Sequence, residues 1–350
     1  PGLSDKALVE KARGKVKHTY QLIPAMAASL PEEEIEALKL DANVAYVEED
    51  AVYTTADATP SSVEYDNSWG VTHISADVAH AGGNLGAGVT VAILDTGIAY
   101  TYPDLDGLVD LSRSVSFLPE DDALVDAYFP GMHYVTDLHY HGTHVASTAV
   151  SNSYATAGVT TETTLMGVKV CSVYGGCPFD AIVQGILWAV DNGADVANMS
   201  LGGGFSKAGN GYWVGFYNRL FNYANSEGMT IVVSAGNDEI DLDHDGNFYK
   251  TYCSTPNTIC VSATAPTAGD GREGPWTDVD APASYTNSGR SAINVAAPGG
   301  DFIENNAGWV YAGCSTTSLV IPTCQTGWYI LGMSGTSMAA PHVSGLAALV

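Results

Sequence analysis

From about residue 69 the chain alternates two textures. Short runs that stay apolar at successive positions end abruptly in small or polar residues: VTVAILDTG (89–97), TLMGVKV (164–170), DVANMSLGG (195–203), TIVVSAGN (230–237), TICVSATAP (258–266) and AINVAAPG (292–299). Between them lie stretches with apolar residues at helical spacing, DAIVQGILWAVDNG (180–193) and a second near Trp213–Ser226. Strands apolar on both faces, separated by helices, predict an α/β fold: a doubly wound, mostly parallel sheet covered on both sides. Such sheets bind ligands beyond the carboxyl ends of their strands. The polar and glycine residues gather at those ends, as Asp95-Thr96-Gly97, Ser200-Leu201-Gly202-Gly203 and Ser234-Ala235-Gly236-Asn237.

The first fifty residues have a different pattern. A helix near Ser4–Arg13, a strand KHTYQLI (17–23), a helix PEEEIEALKL (31–40) and a strand NVAYVEE (43–49) predict a small α+β module over residues 1–53. Pro31 at the start of the second helix and three glutamates in its first turn suit a helix N-terminus. The Thr-, Ser- and Ala-rich segment 51–68, AVYTTADATPSSVEYDNS, reads as an exposed linker, 54–68 separating the module from a large unit at 69–350.

Composition narrows the function. The 350 residues are 46% hydrophobic, with no apolar run long enough to span a bilayer. Lys and Arg number 13 against 39 Asp and Glu, a formal net charge of −26. Nucleic acid and anionic membranes would be repelled, and a soluble monomer is expected. The six cysteines form three close pairs, Cys171 with Cys177, Cys253 with Cys260, and Cys314 with Cys324, none at CxxC spacing. Short-range disulfides and an oxidising, extracellular compartment follow, although sequence leaves the connectivity open. Pro1 and Val350 both stand inside apparent elements, which reads as a chain cut at each end.

The run MSGTSMAAPHVSG (333–345) carries the candidate chemistry. Small residues and Pro341 so close to its start suggest a glycine-hinged turn opening a helix, with Ser337 at the head. A serine hydroxyl becomes a nucleophile only beside a base that a third group orients. HGTHVAS (141–147) offers His141, and the strand end at 95 offers Asp95 as a fixed carboxylate. Asn237 offers a side-chain amide that, with the Ser337 N–H, would receive a developing oxyanion. Alone, Asp95 is a turn residue, His141 a helix-start residue and Ser337 an N-cap. Together, each at a strand end or helix start, they point to nucleophilic catalysis.

The motifs ILDTGI (93–98), HGTHVA (141–146), SLGG (200–203), SAGN (234–237) and GTSMAAPHVSG (335–345), in the order Asp, His, Ser, make the chain from Trp69 onward resemble the subtilisin-like serine proteases. The resemblance implies Ser337 as nucleophile, His141 as general base and then acid, Asp95 as orienting carboxylate and Asn237 as oxyanion donor. It implies that Ser200–Gly203 pairs with an extended polypeptide substrate, that Ser234–Gly236 completes the binding site, and that His342 is structural. GKVKHTY (14–20) and NVAYVEEDAVY (43–53) resemble the propeptide inhibitor domains that precede such proteases. That implies a folding chaperone and inhibitor removed by self-cleavage within Val52–Ser62, near Ala56, in a secreted endopeptidase precursor.

The chain departs from the family in places. Ser147 stands where glycine is common, and the long calcium loop of some members is not recognisable in STAVSNSYATAGV (147–159), although Asp104 matches a calcium-ligand position. DLDHDGN (241–247) opens like a calcium loop with Asp241, Asp243 and Asp245, but its twelfth position is Tyr252. It is either a structural calcium site or a solvated acidic loop; no organic cofactor is expected. Acidic residues following Asn237, including Asp238, suggest a preference for basic residues in the first specificity pocket. The glycine run GGNLGAG (82–88) precedes a strand, which excludes a dinucleotide cradle. No G-x-S-x-G with the order Ser, Asp, His supports an esterase. The non-enzymatic alternative, a protease-shaped binding module, would be expected to lack one of Asp95, His141, Ser337 or Asn237, and all four are present; an inert zymogen fragment would keep them and stays open as the other alternative.

Overall fold

Every residue from Thr90 to Asp95 is buried, which places this strand at the centre of the larger part of the chain. The computed structural model describes residues 6–19, 25–45, 47, 62–244, 246–250, 252–269, 276–302, 308–327 and 329–350. The chain divides into two compact units, Pro1–Thr55 and Ala56–Val350.

In the first unit, helix α1 (Lys6–Lys11) leads into strand β1 (Lys15–Thr19), strand β2 (Met26–Ser29) and helix α2 (Glu32–Lys39). The strands pair antiparallel with an irregularity between Val16 and His18. Pro31 precedes α2, and Glu32, Glu33 and Glu34 fill its first turn, where the helix dipole favours anions. Three local expectations need correction. β1 begins two residues before the predicted 17–23 strand, whose end lies outside the described residues. β2, sequence MAAS, was not anticipated because it lacks the β-branched and aromatic residues that mark strands. The start of the predicted 43–49 strand is a turn instead, closed by Asn43 N–H and Val44 N–H onto Asp41; residues 46, 48 and 49 lie outside the described residues.

The second unit opens with helices α3 (Ser62–Asn67), α4 (Trp69–His73) and α5 (Ala76–Ala81). Then come β3 (Thr90–Asp95), β4 (Val115–Ser116), α6 (Pro119–Tyr128), α7 (His141–Ala149), β5 (Thr164–Lys169), α8 (Phe179–Asp191), β6 (Val196–Met199), β7 (Gly204–Ser206), α9 (Gly211–Ser226), β8 (Thr230–Ser234), β9 (Phe248–Lys250), β10 (Ile259–Ala265), β11 (Ala268–Gly269), β12 (Trp276–Thr277), β13 (Ala281–Pro282), β14 (Val295–Pro298), β15 (Val310–Gly313), β16 (Ile330–Met333) and α10 (Thr336–Leu349). The central sheet runs β13-β10-β8-β6-β3-β5-β4, with β14 also on β10. Its pairs are parallel except β13 with β10.

Alternation along β3 divides the core. Ala92 and Leu94 face a layer with Met166, Val168, Ile186 and Phe221, under α8 and α9. Val91 and Ile93 face Val145, Val232, Ala339 and Val343, under α7 and α10. Both faces are covered, so the strands are apolar throughout, and each fully buried branched side chain contributes about 1.5–3 kcal/mol.

The linker expectation fails from residue 62, where α3 begins; residues 51–61 lie outside the described residues. Composition did not reveal Tyr65, whose ring packs with Val71, Ile74, Ala157 and Val159 and whose hydroxyl meets His80 Nδ1 at 2.7 Å. All six cysteines are paired as the spacing suggested, closing loops with separations of 6, 7 and 10. No helix among the described residues is long and apolar enough to cross a membrane.

Candidate active site

Asp95 is the last residue of β3 and His141 the first of α7. Two glycines let these ends meet. A Cβ on Gly97, at φ 112°, would lie 2.4 Å from the Val135 carbonyl, and one on Gly142 would lie 2.2 Å from the Gly97 carbonyl. His141 Nδ1 donates to Asp95 Oδ1 at 2.8 Å, and Oδ1 also accepts the Thr96 N–H at 2.7 Å. The Asp95 carboxylate is 2% exposed and the imidazole 21%; Oδ2 is buried and has no hydrogen-bond partner among the described residues. Burial pulls the His141 pKa down, but the charge and hydrogen bond of Asp95, with the charge of Asp137, outweigh it and raise the pKa above the ordinary histidine value. With its proton on Nδ1, the neutral ring keeps a lone pair on Nε2.

Ser337 is the second residue of α10. Its hydroxyl donates to the Ser200 carbonyl at 3.1 Å, and the Ser200 hydroxyl donates back to the Ser337 carbonyl at 2.8 Å. Pro341 explains the second bond. It has no N–H to give the carbonyl four residues earlier, so Ser337 C=O is open to a side-chain donor. Asn198 Nδ2 donates to Ser200 Oγ at 2.9 Å, and Ser344 Oγ donates to Asn198 Oδ1 at 2.8 Å, locking the clasp to α10. α7 and α10 pack together through Val145, Ala146 and Ala149 against Met338, Ala339 and Val343. His342 points away from this chemistry: it is buried, Nδ1 donates to the Met338 carbonyl at 2.8 Å, and burial pushes its pKa down to about 4.

Asn237 is held by its oxygen. Oδ1 accepts the Thr336 N–H and hydroxyl, both at 2.9 Å, while Thr336 Oγ1 accepts the Gly236 N–H at 3.0 Å. Nδ2 is left as the outward donor. A Cβ on Gly335 would lie 3.5 Å from Asn237 Nδ2 and 3.6 Å from Ser337 N, so glycine keeps open a space on which both donors converge. Helix position leaves the Ser337 N–H without an intrahelical acceptor.

Ser200 follows β6, and Leu201, Gly202 and Gly203 lie outside any strand, so the predicted strand stops at Met199. Pairing resumes at Gly204 opposite Lys250. Ser234 ends β8, and Ala235 and Gly236 continue to Asn237, Ala235 N–H bonding the Val261 carbonyl at 2.9 Å. Beside them is a cavity of about 500 Å³ lined by Asp238, Ile240, Asp241, His244, Phe248 and Lys250. Asp238 is paired with Lys250 at 2.9 Å, so the expected pull on basic side chains loses its charge. Asp243 is likewise spent on residues 291 and 292.

The same bonds bear on calcium, which needs six to eight oxygen ligands. Asp241 accepts the Asp243 N–H and His244 Nδ1, and Asp243 accepts the Ser291 N–H and hydroxyl and the Ala292 N–H. These two carboxylates do not fit a calcium site: Asp241 closes its own loop, and Asp243 fastens that loop to Ser291 and Ala292. Asp245 lies outside the described residues. Asp104 gives the same answer. Fully buried, it accepts the N–H groups of Tyr154, Ala155 and Thr156 and the Thr156 hydroxyl, at 2.7–3.2 Å. Backbone amides occupy the oxygens a cation would need. Among the described residues no cluster of three His, Cys, Asp or Glu is disposed to hold a metal.

Sequence reasoning missed two buried charges near the site. Lys169, opposite Asp95 in the sheet, reaches Asp121 and the Thr136 carbonyl at 3.0 Å each. Asp137, four residues before His141, is buried in a net of hydroxyls and amides. An aspartate in the polar stretch before HGTHVA was visible, but its partners were not. Ser147, at the position where glycine is common, donates to the Thr143 carbonyl and accepts the Gly313 N–H, both at 2.9 Å, tying α7 to β15.

Comparison with known proteins places this geometry in context. The Subtilase family matches residues 86–350, and the Peptidase inhibitor I9 family residues 3–56. The M-protease of Shouchella clausii (strain KSM-K16) is 31% identical over 345 residues, covering 97% of this chain and 72% of that protein. Subtilisin E of Bacillus subtilis (strain 168) is 32% identical over 347 residues, covering 99% and 75%. Among solved structures, a cold-adapted subtilisin-like serine proteinase superposes with a TM-score of 0.52 at 28% identity, covering 76% of each chain. The epidermin leader peptide processing serine protease of Staphylococcus aureus superposes with a TM-score of 0.68 at 20% identity, covering 98% of this chain and 84% of that one, a likeness of fold.

Proposed function

The chain belongs to the subtilase family, carries an I9 inhibitor domain and is a serine endopeptidase; from that premise we propose that it cleaves polypeptides through an acyl-enzyme on Ser337. The observation that carries this reading is the 2.8 Å bond from His141 Nδ1 to the buried Asp95 carboxylate, with Ser337 at the head of the helix packed on α7. Ser337 Oγ attacks the scissile carbonyl carbon as His141 Nε2 takes its proton. The carbonyl π electrons move to the oxygen, which Asn237 Nδ2 and the Ser337 N–H receive. The C–N bond then breaks and His141 protonates the leaving amine. Water, deprotonated by the same nitrogen, releases the acid. Ser200–Gly203, in no strand pair among the described residues, is the edge on which an extended substrate adds, and Ser234–Gly236 form the opposite wall.

In this reading residues 1–53 are the inhibitor and folding partner, the processing site falls within 52–62, and the catalytic domain follows it, with α3 as its first helix. The protein is secreted, supported by its three disulfides, and works as a monomer on polypeptides. The test is intact mass after exposure to a small fluorophosphonate, once residues 1–55 have been released by self-cleavage or an added protease. One adduct per parent chain, absent from Ser337→Ala, is expected, and Ser337→Ala should also keep the precursor mass when incubated alone. A parent chain without adduct would overturn the acyl-enzyme in favour of a protease-shaped binding module.

A further inference from the structure

Asp137 is fully buried, and all four of its side-chain hydrogen bonds come from neutral donors. Oδ1 accepts the Thr96 hydroxyl and the His139 N–H, both at 2.9 Å. Oδ2 accepts the Thr143 N–H at 3.0 Å and the Thr143 hydroxyl at 2.5 Å. The two threonines pass the restraint on. Thr96, next to Asp95, accepts the N–H of Gly142, next to His141, at 2.9 Å. Thr143 Oγ1 accepts the Ala99 N–H at 3.0 Å. The Asp137 carbonyl is held in turn by the Ser315 and Thr317 hydroxyls, and the preceding Thr136 carbonyl by Lys169.

We propose that Asp137 is a positioning residue of the protease: through Thr96 and Thr143 its carboxylate sets the distance and orientation between Asp95 and His141. The inference rests on the reading of Asp95, His141 and Ser337 given above. A buried carboxylate is costly where hydrophobic packing or a neutral cap would serve a helix start. Here its four acceptor sites are distributed so that the end of β3 and the first turn of α7 share one anchor. Its charge adds a second effect. The ionisable groups facing His141 are Asp95 from β3, Asp137 and His139 from the preceding turn, and His144 along α7. Burial keeps both histidines below the ordinary value, His144 at about 3, so the two carboxylates supply the charge that favours a protonated His141.

The test compares hydrolysis of a peptide p-nitroanilide by the processed parent, Asp137→Asn, Thr96→Val and Thr96→Ser. An asparagine turns an NH2 towards donors on one side and carries no charge. Asp137→Asn is expected to lower kcat on the order of 10–100-fold, as for outer partners that orient functional histidines elsewhere, with KM little changed and the acid limb of kcat/KM moved to lower pH. Thr96→Val, which removes the relay but no charge, should lower kcat without moving the limb, Thr96→Ser should restore it, and the Val change should add little on top of Asp137→Asn. A folded Asp137→Asn with parental kcat and acid limb overturns the proposal. Should Asp137→Asn fail to fold, the Thr96 pair decides: a loss in Val recovered in Ser supports it, and parental kcat in Val overturns it. Hydrolysis that survives Ser337→Ala overturns the reading of the site itself, and a parent without Ser337-dependent hydrolysis overturns both.

Discussion

Ser337 rests with its hydroxyl on the Ser200 carbonyl, the acceptor an incoming substrate amide would use if it added along 200–203. Substrate binding would therefore compete for that carbonyl and free the hydroxyl to turn to His141. In the proposed mechanism the base it meets is His141, held by Asp95. Because the His141 pKa is raised and only the neutral ring accepts a proton, kcat/KM should fall as pH drops through a midpoint above the ordinary value of about 6.5. Asp95→Asn removes both the charge and the oriented acceptor, leaving burial opposed only by the charge of Asp137. The acid limb should then shift below that value while kcat falls by about 10⁴, measured by pH–rate profiles of both proteins. The positions of Asp95, His141 and Ser337 at a strand end or helix start, and of Asn237 just past β8, were legible because each stands in a short motif. The clasp between Ser200 and Ser337 was not, since its partners are 137 residues apart, and neither was the freed carbonyl opposite Pro341, which needs the helix to be drawn first.

At the scale of elements, the central strands were readable because burial on both faces forces an unbroken apolar run, as in β3, β5 and β8. Elements that owe their existence to one distant partner were not, and α3, fastened by Tyr65 to His80, is the clearest case. The turn at 151–156 is of the same kind. No residue in it announces a ligand, yet Asp104 from the segment after β3 satisfies three consecutive amides there. Asp104→Ala would orphan the buried Thr156 donors and the part-buried amides of Tyr154 and Ala155, a buried orphan costing about 1–3 kcal/mol, so a loss of about 3 kcal/mol is expected in denaturant titration. Since protein donors fill the carboxylate, the loss caused by Asp104→Ala should be the same with and without a chelator. A chelator-dependent melt that disappears in Asp104→Ala would show a cation at this carboxylate instead.

Over the whole molecule, a parallel sheet joins strands far apart in sequence, and two apolar layers rather than covalent links hold the larger unit together. The three disulfides close loops with separations of only 6, 7 and 10. By loop-closure entropy each restricts the unfolded chain by roughly 2–3 kcal/mol. Replacing Cys171 and Cys177 together by serine should therefore cost no more than about 2–3 kcal/mol, read from the denaturant midpoint, and leave the fold intact. Such short rings also have a mechanical meaning. Pulled from its two ends, a chain of 350 residues would pay out to a contour of roughly 1,200 Å at about 3.5 Å per residue, and the rings would withhold only about 80 Å of it. A backbone cut anywhere outside them leaves two pieces with no covalent bond between them, so a protein exposed to proteases must keep its loops folded away rather than rely on its cystines to survive a nick.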